Sequence, residues 1–218
     1  MNKPVEPAED QPPPQERRYH HGDLRAALMD AGEAELARHG IEGFSLRNVA
    51  KRAGVSHAAP AHHFRDAKGL LTALATRGFQ RFVARQRDFQ RQAAPAPRAQ
   101  MQACGVGYVA FALENPAVFR LMFGSDRTDF DDPNLKSAAE AAFLALVEGV
   151  AQVTAAGSQT SPAASPLQAV GSADVAAAWA LAHGLADLMV AGRLPWLSAL
   201  PTEERNRAIA SILTRSLP

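Results

Sequence analysis

The chain holds a single cysteine, Cys104, in 218 residues. An internal disulfide and a thiolate metal cluster are therefore both excluded. Aromatic residues make up only 6%, with two tyrosines and two tryptophans, and no segment sustains the apolar/polar alternation of a half-buried strand. No 18 consecutive residues are all apolar, so no membrane-spanning helix is expected. There is no glycine-rich phosphate loop, nucleophile elbow or His-Glu-x-x-His pattern. Cys104 and His183 are the one conceivable nucleophile–base pair, but a lone cysteine on an apolar helical run is by default a small core residue. His183, four residues after Trp179, reads as a hydrogen-bonded core histidine. No catalytic residue and no enzyme activity are expected.

Metal binding fares no better. His57 and His62 stand five apart, whereas two ligands on one helical face need a spacing of three or four. No carboxylate pair or cysteine completes a shell around them. Neither a metal nor another cofactor is expected. Residues 1–18, MNKPVEPAEDQPPPQERR, lack an apolar stretch and read as a polar, disordered tail rather than a secretory leader. A cytoplasmic location is the simplest expectation.

What is present is an uneven distribution of charge. The formal net charge is +1, but residues 17–92 carry fourteen bases and seven acids, while residues 93–218 carry eight bases and eleven acids. Six of the seven histidines lie before residue 64. A basic block of this kind suggests a polyanionic partner for the first third of the chain, although a solvated charged face would look the same.

Alanine and leucine abound, and helical periodicity runs through almost the whole chain, so an all-α fold is expected. Helices are predicted over 23–39, 46–53, 56–64 and 66–92, with Gly40 ending the first and Ser45, Ser56 and Asp66 as N-caps of the others. Further helices are predicted over 98–114, from Pro116 with Asn115 as its cap, over about 134–155, 167–193 and 202–215. A small-residue loop, residues 157–166, is expected to be mobile.

The stretch SLRNVAKRAGVSHAAPAHHF, residues 45–64, carries the functional signal. Leu46, Val49, Ala50 and Ala53 form one stripe of a short helix. Gly54 tolerates the positive φ of a turn, and a second short helix follows, with Pro60 expected as its fourth residue. Two short helices joined this way make a helix-turn-helix, whose second helix can enter a major groove about 12 Å wide. Ser56, His57, Ala58, Ala59, Ala61, His62 and His63 belong to that second helix, the small alanines allowing close approach. Arg47, Lys51 and Arg52 make the first helix basic. Arg17 and Arg18 precede the domain, where a flexible arm can follow the phosphate backbone. Helix–glycine–helix patterns also occur in ordinary bundles.

At the level of whole motifs, YHHGDLRAAL and HGIEGFSLRNVAKRAGVSHAAPAHHFRDAKGLL resemble the DNA-binding domain of the TetR/AcrR family of bacterial transcription regulators. ENPAVFRLMF and WALAHG resemble a subgroup with a Trp-x3-His-Gly motif, here Trp179, His183 and Gly184. The resemblance covers residues 19–217. It implies an all-helical homodimer with a three-helix DNA-binding head (19–65) and an effector-binding and dimerisation domain (66–218). A ligand-responsive repressor of a near-palindromic double-stranded DNA operator is the resulting expectation; a low-specificity structural DNA binder without an effector is the alternative. The family commonly places tyrosine and lysine, both usually on the DNA backbone, where this sequence has Ala61 and Ala67. Lys68 is displaced by one residue, about 100° around a helix.

Candidate lining for an effector pocket comprises Phe82, Tyr108, Phe111, Phe119, Met122, Phe143, Trp179 and His183, each of which a helical core would also use. Few charges fall in these helices, so a neutral or aromatic small molecule is expected. For a four-helix dimer interface, the last two helices offer Leu181, Leu185, Leu188, Ile209, Ile212 and Leu213 at helical spacing.

Overall fold

The computed structural model describes residues 21–157 and 173–215. Ten helices and no strand occur among them: α1 (His21–His39), α2 (Leu46–Ala53), α3 (Ala59–Phe64), α4 (Ala67–Gln92), α5 (Pro97–Glu114), α6 (Pro116–Gly124), α7 (Pro133–Gly157), α8 (Ala173–Val190), α9 (Pro195–Ser198) and α10 (Thr202–Thr214). The predicted tail, with Arg17 and Arg18, and most of the predicted loop at 157–166 lie outside the described residues.

Helix ends follow from identifiable residues. Gly40 and Gly54 adopt φ of +67° and +69°. At the end of α2 the Gly54 and Val55 N–H groups donate to the carbonyls of Lys51 and Ala50, closing the helix in a Schellman motif. Asp66 caps α4, its Oδ1 accepting from the Gly69 N–H at 2.8 Å. Asp132 does the same for α7, accepting from Asn134 and Leu135.

Other expected caps are absent. The Ser45 side chain makes no capping bond. Asn115 spends its amide on the Phe111 carbonyl and its Oδ1 on Arg81 instead of on α6. Ser56 does not cap α3; its carbonyl accepts from Ala59 within a turn, and α3 begins three residues later than expected. Pro60 is consequently the second helical residue rather than the fourth, where its missing N–H has no intrahelical acceptor to lose. Pro97 opens α5, where its missing N–H costs no helical bond.

Helix α4, 26 residues and about 39 Å long, is the spine. It packs on α1 and α3 at one end and on α5, α6 and α7 along its length. One apolar core runs continuously from Leu28, Leu36 and Val49 through Leu70, Leu74 and Phe82 to Leu121, Ala186 and Ile209. A smaller cluster around Val147, Val150, Val153 and Val175 joins α7 to α8. By length and composition α7 and α8 would suffice to span a bilayer, yet their buried stripes are taken up by these cores. Polar pairing reinforces the spine: Arg77 bonds Asp30 and Glu33 of α1, Arg81 bonds Glu33, and Arg85 pairs with Glu114 of α5. The basic block of the sequence is thus partly consumed inside the molecule.

Candidate nucleic-acid interface and ligand cavity

Helices α1, α2 and α3 bury Leu28, Leu36, Phe44, Val49, Pro60 and Phe64 against one another and α4. Glu35, fully buried on α1, accepts from the Asn48 amide at 2.7 Å and lies 3.2 Å from His39 Nδ1 and 3.6 Å from an Arg52 nitrogen. One carboxylate therefore ties α1 to both ends of α2. This anchor left no sequence signature beyond an acid on a helix.

The outer face of this assembly exposes Arg47, Ser56, His57, Ala58, Ala61 and His62, with Ala59 and His63 half-buried beneath. Most of the residues expected to meet DNA on α2 and α3 are thus open to solvent. Lys68 is exposed at the start of α4, 3.8 Å from Asp129. Ala67 differs: it packs against the core beside the DNA-facing residues, so a lysine there would have to lead its stem out over apolar neighbours.

The joint between α3 and α4 is tight. Arg65 has φ +68° and ψ −60°, and the Asp66 N–H donates to the Phe64 carbonyl two residues back, a strained three-residue turn. Gly69 faces that carbonyl so closely that a Cβ would sit 2.0 Å from the Phe64 oxygen. Glycine is required there by contact rather than by φ, which sequence reasoning had no means to see.

A cavity of about 470 Å³ opens among α4, α5, α6, α7, α8 and α10. Five of the eight expected residues line it: Phe82, Tyr108, Met122, Phe143 and Trp179. Phe111 and Phe119 do not; they are core residues stacked behind the wall against Phe82 and Phe123. His183 also lies behind the wall, its Nδ1 2.7 Å from the Tyr108 hydroxyl. Desolvation holds the His183 imidazole below its ordinary value, with Asp187 as a smaller opposing influence. Burial raises the Tyr108 phenol far above its usual range, contact with Trp179 acting weakly against it. The pair is then a neutral phenol sharing a hydrogen bond with a neutral imidazole, the tautomer setting which of them donates. Trp179 and His183, one turn apart on α8, both address this hydroxyl, which gives the Trp-x3-His spacing a physical reason.

The sequence reading missed Phe79, Gln86, Phe123 and Leu213 in the wall, and Cys104, whose thiol burial pushes up to about 11. Phe130, half exposed in the loop between α6 and α7, closes one side. Its neighbour Asp129 donates its N–H to Thr72 of α4 at 2.9 Å and faces Lys68. The same loop thus touches the cavity and the N-terminal end of α4. No group of three or more metal-ligating side chains occurs among the described residues.

For the proposed interface, Leu185, Ile209 and Leu213 are buried in the subunit's own core. Of these six only Leu188 is exposed, with Leu181 and Ile212 half-buried. The outward strip of α8 is instead Ala177, Ala180, Gly184 and Leu188. The apolar period of the sequence reported the inward face, because core and interface demand the same spacing.

Comparison with known proteins agrees with this architecture. Residues 28–74 match the model of bacterial regulatory proteins of the tetR family, and residues 101–212 match a Tetracyclin repressor-like C-terminal domain. A protein of unknown function from Rhodococcus sp. RHA1 is 35% identical, with a TM-score of 0.73 over 93% of this chain and 99% of that one. A TetR-like transcriptional regulator from the same organism shares 16% identity (TM-score 0.62, 92% and 98% covered). The transcriptional regulator FadR from Bacillus subtilis, in complex with stearoyl-CoA, shares 12% (TM-score 0.63, 89% and 100% covered). These last two likenesses concern the fold. No curated protein shows significant sequence similarity.

Proposed function

The chain belongs to the TetR family of bacterial transcription regulators, and on that premise we propose that it is a cytoplasmic, ligand-released repressor acting as a homodimer on a near-palindromic operator. The observation that carries this reading is the loop between α6 and α7. Phe130 stands in the cavity wall, while the adjacent Asp129 is bonded to Thr72 and faces Lys68 at the head end of α4. A molecule in the cavity meets the same segment that positions the lever of the DNA-binding head.

Two heads must stand about 34–36 Å apart to meet successive major grooves. A ligand favouring another spacing lowers operator affinity by its differential affinity for the two states and by nothing else. Arg47, His57, His62, His63 and Lys68 are the donors we assign to DNA, with Ser56, Ala58, Ala59 and Ala61 at the closest approach; Arg17 and Arg18 are assigned to the backbone. The subunits are proposed to pair through the small-residue strip of α8 around Leu188 and the half-buried Leu181 and Ile212.

Sequencing the DNA fragments retained by the protein from its own genome tests the reading. Enrichment of a two-fold symmetric site with half-sites one helical turn or a multiple apart is expected. Uniform recovery across sequences would instead support a low-specificity DNA binder.

A further inference from the structure

The polar groups around the cavity are few, and all but one of the buried amide and hydroxyl donors are engaged within the protein. Gln102 donates to the Ala210 carbonyl and to the Thr214 hydroxyl. The Tyr108 hydroxyl is satisfied by His183. Glu140 lies exposed in water on α7 and is the one charged residue in the wall among the described residues, none of which adds a lysine or arginine to it. Cys104 offers only a weak thiol donor.

Gln86 is different. It is 6% exposed and lines the cavity from α4, and no hydrogen bond joins its carboxamide to another of the described residues. The carboxamide is not sealed off from solvent, and its two donors and its acceptor stay available to a molecule in the cavity. Its backbone cannot retreat: Gly107 of α5 packs so closely that a Cβ there would lie 2.7 Å from the Gln86 Cα.

We infer that Gln86 is the polar anchor of this cavity and that the ligand is an uncharged, largely apolar molecule presenting to it one group that both donates and accepts, such as an amide. The inference rests on the cavity being the effector site and adds the class of molecule. An anionic ligand is disfavoured twice, by the lack of a cation among the described residues of the wall and by Glu140 at its edge. Phosphate-bearing acyl carriers, of which stearoyl-CoA in FadR is one, do not suit these walls.

Binding of three matched probes, 4-phenylbenzamide, 4-phenylbenzoate and 4-methylbiphenyl, is the test. Trp179 in the wall reports occupancy by fluorescence in a Trp196→Phe background, since these are the two tryptophans. The amide should bind about tenfold tighter than the hydrocarbon and tighter still than the carboxylate. Gln86→Leu should abolish the preference for amide over hydrocarbon and melt no lower than the parent, because no protein hydrogen bond is lost. Equal binding of all three, preference for the carboxylate, an amide preference that survives Gln86→Leu, or a lowered melting temperature would each overturn the assignment. Failure of every probe to bind would remove the cavity reading together with it. Amide-selective binding that leaves operator affinity unchanged would keep Gln86 as anchor and remove the effector reading alone.

Discussion

Replacing Gly69 by alanine adds one methyl group at the joint between the recognition helix and the lever. The new carbon would fall 2.0 Å from the Phe64 carbonyl oxygen and 3.1 Å from its carbon. Real contacts of this kind begin near 3.0 Å, so α3 and α4 must separate by at least about 1 Å. The obstacle is backbone rather than a flexible side-chain end, and the same carbonyl is held by the Asp66 N–H in a turn already strained at Arg65. Overpacking of this sort costs about 1–3 kcal/mol, which for a chain of this size lowers the melting temperature by about 2–12 °C. The displacement is passed to α3, six residues long, whose DNA contacts tolerate much less than 1 Å; each lost base contact costs about 1–3 kcal/mol. Operator affinity should fall at least about tenfold. Gly124→Ala is the control, since a Cβ there meets nothing within 4 Å. Thermal melting and fluorescence anisotropy on a retained genomic fragment read both effects. A Gly69→Ala protein that melts and binds like the Gly124→Ala protein would refute the reasoning.

Glu35→Ala should cost about 2–4 kcal/mol in urea unfolding, because it removes a charge-assisted bond to Asn48 and leaves a void. Glu35→Gln keeps an acceptor for Asn48 and should cost less than half as much; equal losses would contradict this. His183 sits below its ordinary value of 6.5 when folded, so the unfolded chain binds the extra proton. Its stabilising contribution is complete above pH 6.5 and declines as pH falls from there, by at most about 1.4 kcal/mol per pH unit. His183→Asn should flatten that part of the stability–pH curve, and an identical curve would show that burial does not depress the His183 imidazole. Leu188→Asp, on the exposed strip of α8, should give a folded monomer with weakened operator binding; a stable dimer in sedimentation would place the interface elsewhere.

Most helix boundaries were legible because the chain marks them chemically. Gly40, Gly54 and Asp66 each act where the sequence places them. Ser45, Ser56 and Asn115 were equally good caps by type and do not serve, since capping depends on a side-chain torsion and on rival partners such as Arg81. In the cavity the aromatic residues were found by bulk, but bulk cannot separate the wall from the layer behind it, and Phe111 and Phe119 fell on the wrong side. Gln86 was invisible for the opposite reason. On a helix surface its amide would be unremarked, and only its place in the cavity wall gives it meaning. Gly69 and the Asp129–Lys68 contact join residues whose relation is set by packing between elements.

The central claim is that the exposed face of α2 and α3 reads DNA sequence. Its most direct measurement compares the affinity of the dimer for a retained genomic fragment with that for a scrambled duplex of equal length, at physiological salt and across a salt series. The account predicts a preference of at least about 10³ for the genomic fragment. It also predicts that His57→Ala with His62→Ala erodes this preference, while Lys68→Ala weakens both duplexes alike and makes the log–log salt slope shallower by about one to two units. Equal affinity for the two duplexes, or a preference untouched by the histidine substitutions, would contradict it.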